Sequence, residues 1–183
     1  MRALNKRILN LVMSVMMTLG VSSAAIAHLM VAQHGTVNIV DDGAFMVLSV
    51  PVSAFYALDT DGDGVVTMIE FNDHRAQIVE SIRHNVVLSD DHGNLVLEGI
   101  MLSPDTDHDE TNSQTGGQIT VMGRFALVDP SAALSLFVGL YGAKDAEQNM
   151  QITGTRPAES AAYVLVLTPQ ASGGELFPAL ASN

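Results

Sequence analysis

Apolar positions change their spacing three times along the chain. Residues 8–21 form a largely apolar run behind a basic start of Arg2, Lys6 and Arg7. From about residue 36 the apolar positions fall into short runs. Two of these, 36–40 and 44–50, flank Asp41-Asp42-Gly43, and an Asp-Gly pair between such runs predicts a hairpin. Pro51 ends the second strand. Ser53 is placed to cap a short helix over 54–58. From Thr67 to about His84 the spacing becomes helical: Met68, Phe71, Ile78 and Ile82 share one face, and Val79 widens it. Arg83 and His84 suit the last turn of that helix, and Asn85 can close it.

Beyond residue 85 no helical period recurs. Segments 86–88, 95–102, 118–127, 133–140, 150–155 and 161–167 read as strands. The turns between them are marked by Asp91-His92-Gly93-Asn94, Ser103-Pro104-Asp105, Asp129-Pro130, Tyr141-Gly142 and Arg156-Pro157. Segment 133–140 has a buried helix as its alternative, because a short apolar run does not separate the two. About eight strands at this spacing predict an α+β fold: an antiparallel β-sandwich-like domain with one helix–loop–helix, 53–84, inserted between the second and third strands. There is no internal repeat. The tail after Pro169 is small and polar and is expected to fray.

The opening run is about 14 residues, short of the roughly 18–20 that a spanning helix needs. It leads into Ser22-Ser23-Ala24-Ala25-Ile26-Ala27, where Ala25 and Ala27 fit the small-residue pattern of a cleavage site. Residues 1–27 are therefore expected to be a signal peptide, leaving 28–183 as a single exported domain, periplasmic or secreted, with no membrane span after cleavage. Three of the eight basic residues lie in that leader and none of the twenty acids does. The remainder carries five against twenty, a net of −15 with histidine neutral. Nucleic acid and anionic membrane both need a basic face, so neither is an expected partner. With no cysteine, a lipid-anchored cysteine, disulfides, thiolate metal sites and cysteine nucleophiles are excluded together.

The acidity is concentrated where it can hold a cation. Residues 59–70 read Asp-Thr-Asp-Gly-Asp-Gly-Val-Val-Thr-Met-Ile-Glu. A hard ion such as Ca²⁺ takes six to eight oxygens. Asp59, Asp61 and Asp63 stand at positions 1, 3 and 5 of the twelve-residue calcium loop pattern, with Gly64 at the sharp turn of position 6. Val65 offers its carbonyl at position 7, Thr67 its hydroxyl at position 9, and Glu70 two oxygens at position 12. Four carboxylates so close together repel one another unless a cation lies between them. Phe55 and Leu58 precede the loop, Val66 stands at its apolar eighth position, and Phe71 follows the closing glutamate. In all of these positions segment 53–84 resembles the EF-hand family, which implies a helix–loop–helix binding Ca²⁺ through Asp59, Asp61, Asp63, Val65, Thr67 and Glu70. Two departures stand out. EF-hands usually pair, and the nearest second candidate, 105–110, has Glu110 in place of the glycine and Gly116 at position 12. It reads as a solvated loop, or at most a weak second cation site. The entering helix is also cramped between Pro51 and Asp59. An unpaired hand is expected to lean on the strands or on a second molecule.

Other chemistry is sparser. His28, as the first residue after the leader, offers an amine and an imidazole to copper, with Met30 and His34 nearby. His74 lies one helical turn beyond Glu70. His92 and His108 sit in acidic turns. No metalloprotease, serine-hydrolase or phosphate-loop motif occurs. Residues 140–155, followed by 163–169, weakly resemble the extracytoplasmic part of bacterial hydrogenase/urease accessory membrane proteins, a family implied in nickel transport. The leading expectation is a non-enzymatic exported protein that binds Ca²⁺ for stability or partner docking. The alternatives are a copper- or nickel-handling protein using His28 and a calcium-stabilised enzyme.

Overall fold

The computed structural model describes residues 32–62, 66–106, 115–157 and 159–180. The expected leader, His28 and Met30 lie outside these residues, as do Asp63, Gly64, Val65 and most of the 105–110 segment. Among the described residues no helix is long and apolar enough to cross a membrane.

The chain is mostly β-sheet. Its strands are β1 (His34–Val40), β2 (Gly43–Pro51), β3 (Val86–Asp90), β4 (Gly93–Asn94), β5 (Leu97–Thr106), β6 (Thr115–Ala126), β7 (Leu134–Val138), β8 (Met150–Thr155), β9 (Tyr163–Leu167) and β10 (Gly173–Phe177). They form a six-stranded sheet, β5-β6-β2-β1-β8-β9, and a four-stranded sheet, β10-β7-β3-β4. The Asp41-Asp42 hairpin is present, with Val40 opposite Gly43 and Asp41 in the left-handed region at φ 51.

Alternation sets which face is buried. Val37 and Ile39 of β1, Met46, Leu48 and Val50 of β2, and Ile119, Val121 and Phe125 of β6 point inward from the larger sheet. Leu88, Leu134, Leu136, Leu176 and Phe177 come from the smaller sheet and join the same core. At Gly35 the strands approach closely: a Cβ there would collide with the Leu48 and Ile152 side chains.

Four expectations need correction. The strands are not uniformly antiparallel, because β1 pairs parallel with β8, His34 opposite Gln151 and Asn38 opposite Thr155. The chain reaches β8 from β7, which belongs to the other sheet, so no tight hairpin constrains its direction. The tail does not fray at Pro169: β10 pairs antiparallel with β7 and buries Leu176 and Phe177. Segment 54–58 is not a helix. A single 3₁₀ turn, Val52–Ala54, is followed by extended Phe55 and by Ala57 at φ 59. Ser53 caps nothing, because its hydroxyl donates to Glu147 Oε2 at 2.7 Å. The long helix is broken into α1 (Met68–Asp73) and α2 (Arg75–Asn85). His74, between them, has φ −97 and ψ 3. Its Nδ1 lies 2.8 Å from the Glu70 carbonyl, which makes that nitrogen the donor.

Candidate metal centre

The loop begins where the core ends. Leu58, the residue before Asp59, is buried, as are Val66, Phe71, Ile78 and Ile82, and all of them belong to the core shared with the sheets. The exiting helix thus leans on the strands. Burying one such side chain is worth roughly 1.5–3 kcal/mol as an upper estimate. Three of them on α1 and α2 outweigh the ~1.4 kcal/mol that a weakly held ion would add at ten times its Kd. Packing therefore fixes the direction of α1, and with it the position of Glu70.

Thr67 starts α1. Its hydroxyl accepts from the Glu70 N–H at 3.2 Å, and the Glu70 carboxylate reaches back to the Thr67 N–H, a reciprocal capping box. Glu70 is therefore held at both ends. Its Oε2 accepts from the Thr67 N–H and the Thr67 hydroxyl, each at 2.9 Å. Its Oε1 accepts from the Thr60 N–H and the Thr60 hydroxyl, each at 2.7 Å. The Thr67 amide, the Thr60 hydroxyl, the Thr60 amide and the Thr67 hydroxyl all favour the charged form. Against desolvation by burial, they lower the Glu70 pKa to about 2.

At the other end of the loop, Asp59 Oδ1 accepts from the Gly62 N–H at 2.7 Å. Gly62 sits at φ 75, a conformation that favours glycine. Carboxylate oxygens of Asp59, Asp61 and Glu70 all lie within 4.8 Å of one another. Glu70 is buried, Asp59 half-buried and Asp61 exposed. Three carboxylates converging from both ends of a short loop form a hard oxygen donor set that could hold a metal ion.

Of the six expected ligands, the structure brings Asp59, Asp61 and Glu70 together and sets Thr67 against Glu70. Asp63 and Val65 lie outside the described residues. Thr60 is the contributor that the loop pattern missed, because the pattern leaves its second position open. His74 is turned to the Glu70 carbonyl and away from the carboxylates. His34 Nδ1 lies 2.9 Å from the Ala32 carbonyl, and no cluster of ligand-type side chains among the described residues includes it. Asp90, Asp91 and His92 form a second cluster at the β3–β4 turn. There Asp90 Oδ1 accepts from the His92 and Gly93 amides, and His92 is exposed.

No family model matches the chain, and no curated protein matches it.

Proposed function

We propose that the chain is a calcium-binding protein, exported and without catalytic activity of its own. In this reading it is a β-sandwich-like domain that carries one EF-hand loop between β2 and β3. Ca²⁺ is held by Asp59, Asp61, Asp63, the Val65 carbonyl, Thr67 and Glu70. The observation that carries the reading is the convergence of the Asp59, Asp61 and Glu70 carboxylates within 4.8 Å at the start of a helix anchored in the core. The short 3₁₀ turn in place of an entering helix leaves the proposed hand with only its exiting arm, itself broken at His74. That favours a structural or docking role, because a sensor needs two helices that change their angle.

The donor set decides between ions. Ca²⁺ accepts a flexible shell of oxygens, whereas Mg²⁺ demands a tighter octahedron and releases water reluctantly. Extracellular modules bind Ca²⁺ at about 10⁻⁴–10⁻³ M. An ion present at ten times such a Kd stabilises the fold by roughly 1.4 kcal/mol. When bound, the ion supplies the positive charge that offsets the repulsion among the loop carboxylates. Isothermal titration of the exported protein tests the reading. The expected result is one Ca²⁺ per chain, with Mg²⁺ weaker. No heat and no competition with a calcium dye at millimolar Ca²⁺ would refute it. Two ions per chain would bring 105–110 into play.

A further inference from the structure

Resting on the calcium reading above, the geometry points to Thr60 as a latch that holds the closing ligand, Glu70, in the ion-free loop and so weakens calcium binding. A carboxylate has about four lone-pair directions, two on each oxygen. Four donors meet Glu70 here: the Thr60 amide and hydroxyl on Oε1 at 2.7 Å each, and the Thr67 amide and hydroxyl on Oε2 at 2.9 Å each. The carboxylate is saturated without any metal. It can give both oxygens to an ion only by yielding a donor on each.

The two sides differ in what yielding costs. The Thr67 amide belongs to the capping box that starts α1, and the Thr67 hydroxyl also accepts from the Glu70 N–H. If the Thr67 hydroxyl turns away from Oε2, it keeps the helix cap and becomes the ninth-position ligand. The Thr60 hydroxyl caps no helix: it donates to Glu70 Oε1, and Thr60 itself is exposed. A hydrogen bond to a charged acceptor is stronger than a neutral one. The Thr60 hydroxyl therefore competes directly with the ion for Oε1, while the Thr60 amide alone suffices to aim the side chain.

Thr60→Val keeps the β-branched shape and the amide and removes only the hydroxyl. Its expected effect is a calcium Kd lowered about three- to tenfold, with the stoichiometry unchanged at one. The ion-free protein should melt lower than wild type, because a bond to a charged group has been lost, and its gain in melting temperature with Ca²⁺ should be larger. Thr60→Ser restores a hydroxyl and should return both quantities toward wild type, which separates the latch from any loss of packing. Titration calorimetry and melts in chelator and in Ca²⁺ read both quantities. If wild type binds Ca²⁺ and Thr60→Val binds it equally or more weakly, the hydroxyl orients Glu70 for the ion and the latch is refuted on its own. If wild type takes up no Ca²⁺ at all, the site reading and the latch fail together.

Discussion

Thr67 and Glu70 bond to each other in both directions: the Thr67 amide and hydroxyl donate to Glu70 Oε2 at 2.9 Å, and the Glu70 amide donates to Thr67 Oγ1 at 3.2 Å. The residue proposed as the ninth-position ligand is therefore also the N-cap of α1. A residue with two duties separates them on mutation. Thr67→Ala should lower ion-free stability by about 1 kcal/mol, the usual cost of a lost cap, which in a domain of this size is about 2–4 °C of melting temperature. It should keep most of the stabilisation that calcium adds, because a neutral oxygen at this position is the weakest of the proposed ligands. Melts in chelator and in Ca²⁺ check both halves. An unchanged melt in chelator would show that the cap carries no weight.

Phe71 follows Glu70 directly and is 1 % exposed, whereas Ile69 on its other side is 74 % exposed. Phe71→Ala should cost about 3–5 kcal/mol by transfer loss and cavity formation. That exceeds the ~1.4 kcal/mol expected from calcium at ten times Kd, so added ion should not restore wild-type stability. Ile69→Ala should stay within about 0.5 kcal/mol, as an exposed substitution normally does. Urea unfolding with and without Ca²⁺ measures all three. Equal costs at 69 and 71 would mean that α1 is not anchored through Phe71.

Strands were legible in the sequence as short apolar runs bounded by turn signals, as in 36–40 and 44–50 around Asp41-Asp42-Gly43. The clustering of Asp59, Asp61 and Glu70 was legible because the twelve-residue pattern spaces carboxylates around one point. What stayed hidden depends on partners far away in sequence. The 54–58 segment has residues compatible with a helix, but the Ser53 hydroxyl that would start it is bonded to Glu147. The parallel β1–β8 pair joins segments more than a hundred residues apart and has no local signature. β10 carries only Leu176 and Phe177 as apolar residues behind Gly173-Gly174, so its pattern is too short to register. It forms because β7 presents an edge for it.

The tail has a further fastening. Arg156 is 3 % exposed, donates to the Ala132 carbonyl at 2.7 Å and the Pro178 carbonyl at 2.8 Å, and lies 4.8 Å from the Phe177 ring centroid. Arg156→Met keeps an apolar stem over Phe177 and removes both bonds. It should cost about 2–4 kcal/mol, since two partly buried carbonyls each lose a charged donor. Amides of β10, paired with Phe137 and Leu136 of β7, should exchange faster while those of β1 and β2 stay protected. Site-resolved hydrogen exchange reads this directly. A uniform loss of protection across both sheets would contradict a local role for Arg156.

Glu70→Gln separates the ion from everything else that Glu70 does. The amide keeps the shape of the side chain, removes the charge and replaces one acceptor oxygen with a donor. That NH₂ group must face either the Thr60 pair or the Thr67 pair of donors, so some ion-free stability is lost whichever way it turns. The absolute melting temperature is therefore a poor readout, and the difference between melts with and without Ca²⁺ is the useful one. Wild type at ten times Kd should gain about 3–6 °C, from roughly 1.4 kcal/mol in a domain of this size. Glu70→Gln should lose most of that gain, since the closing position would offer one neutral oxygen where two charged ones stood. Thr67→Ala in the same experiment should keep most of it. The order follows from charge: Ca²⁺ is a hard cation whose affinity rises with the number of charged oxygens around it. If Glu70→Gln kept the full gain, calcium would be bound elsewhere on the chain, and both the site and the Thr60 latch built on it would be wrong.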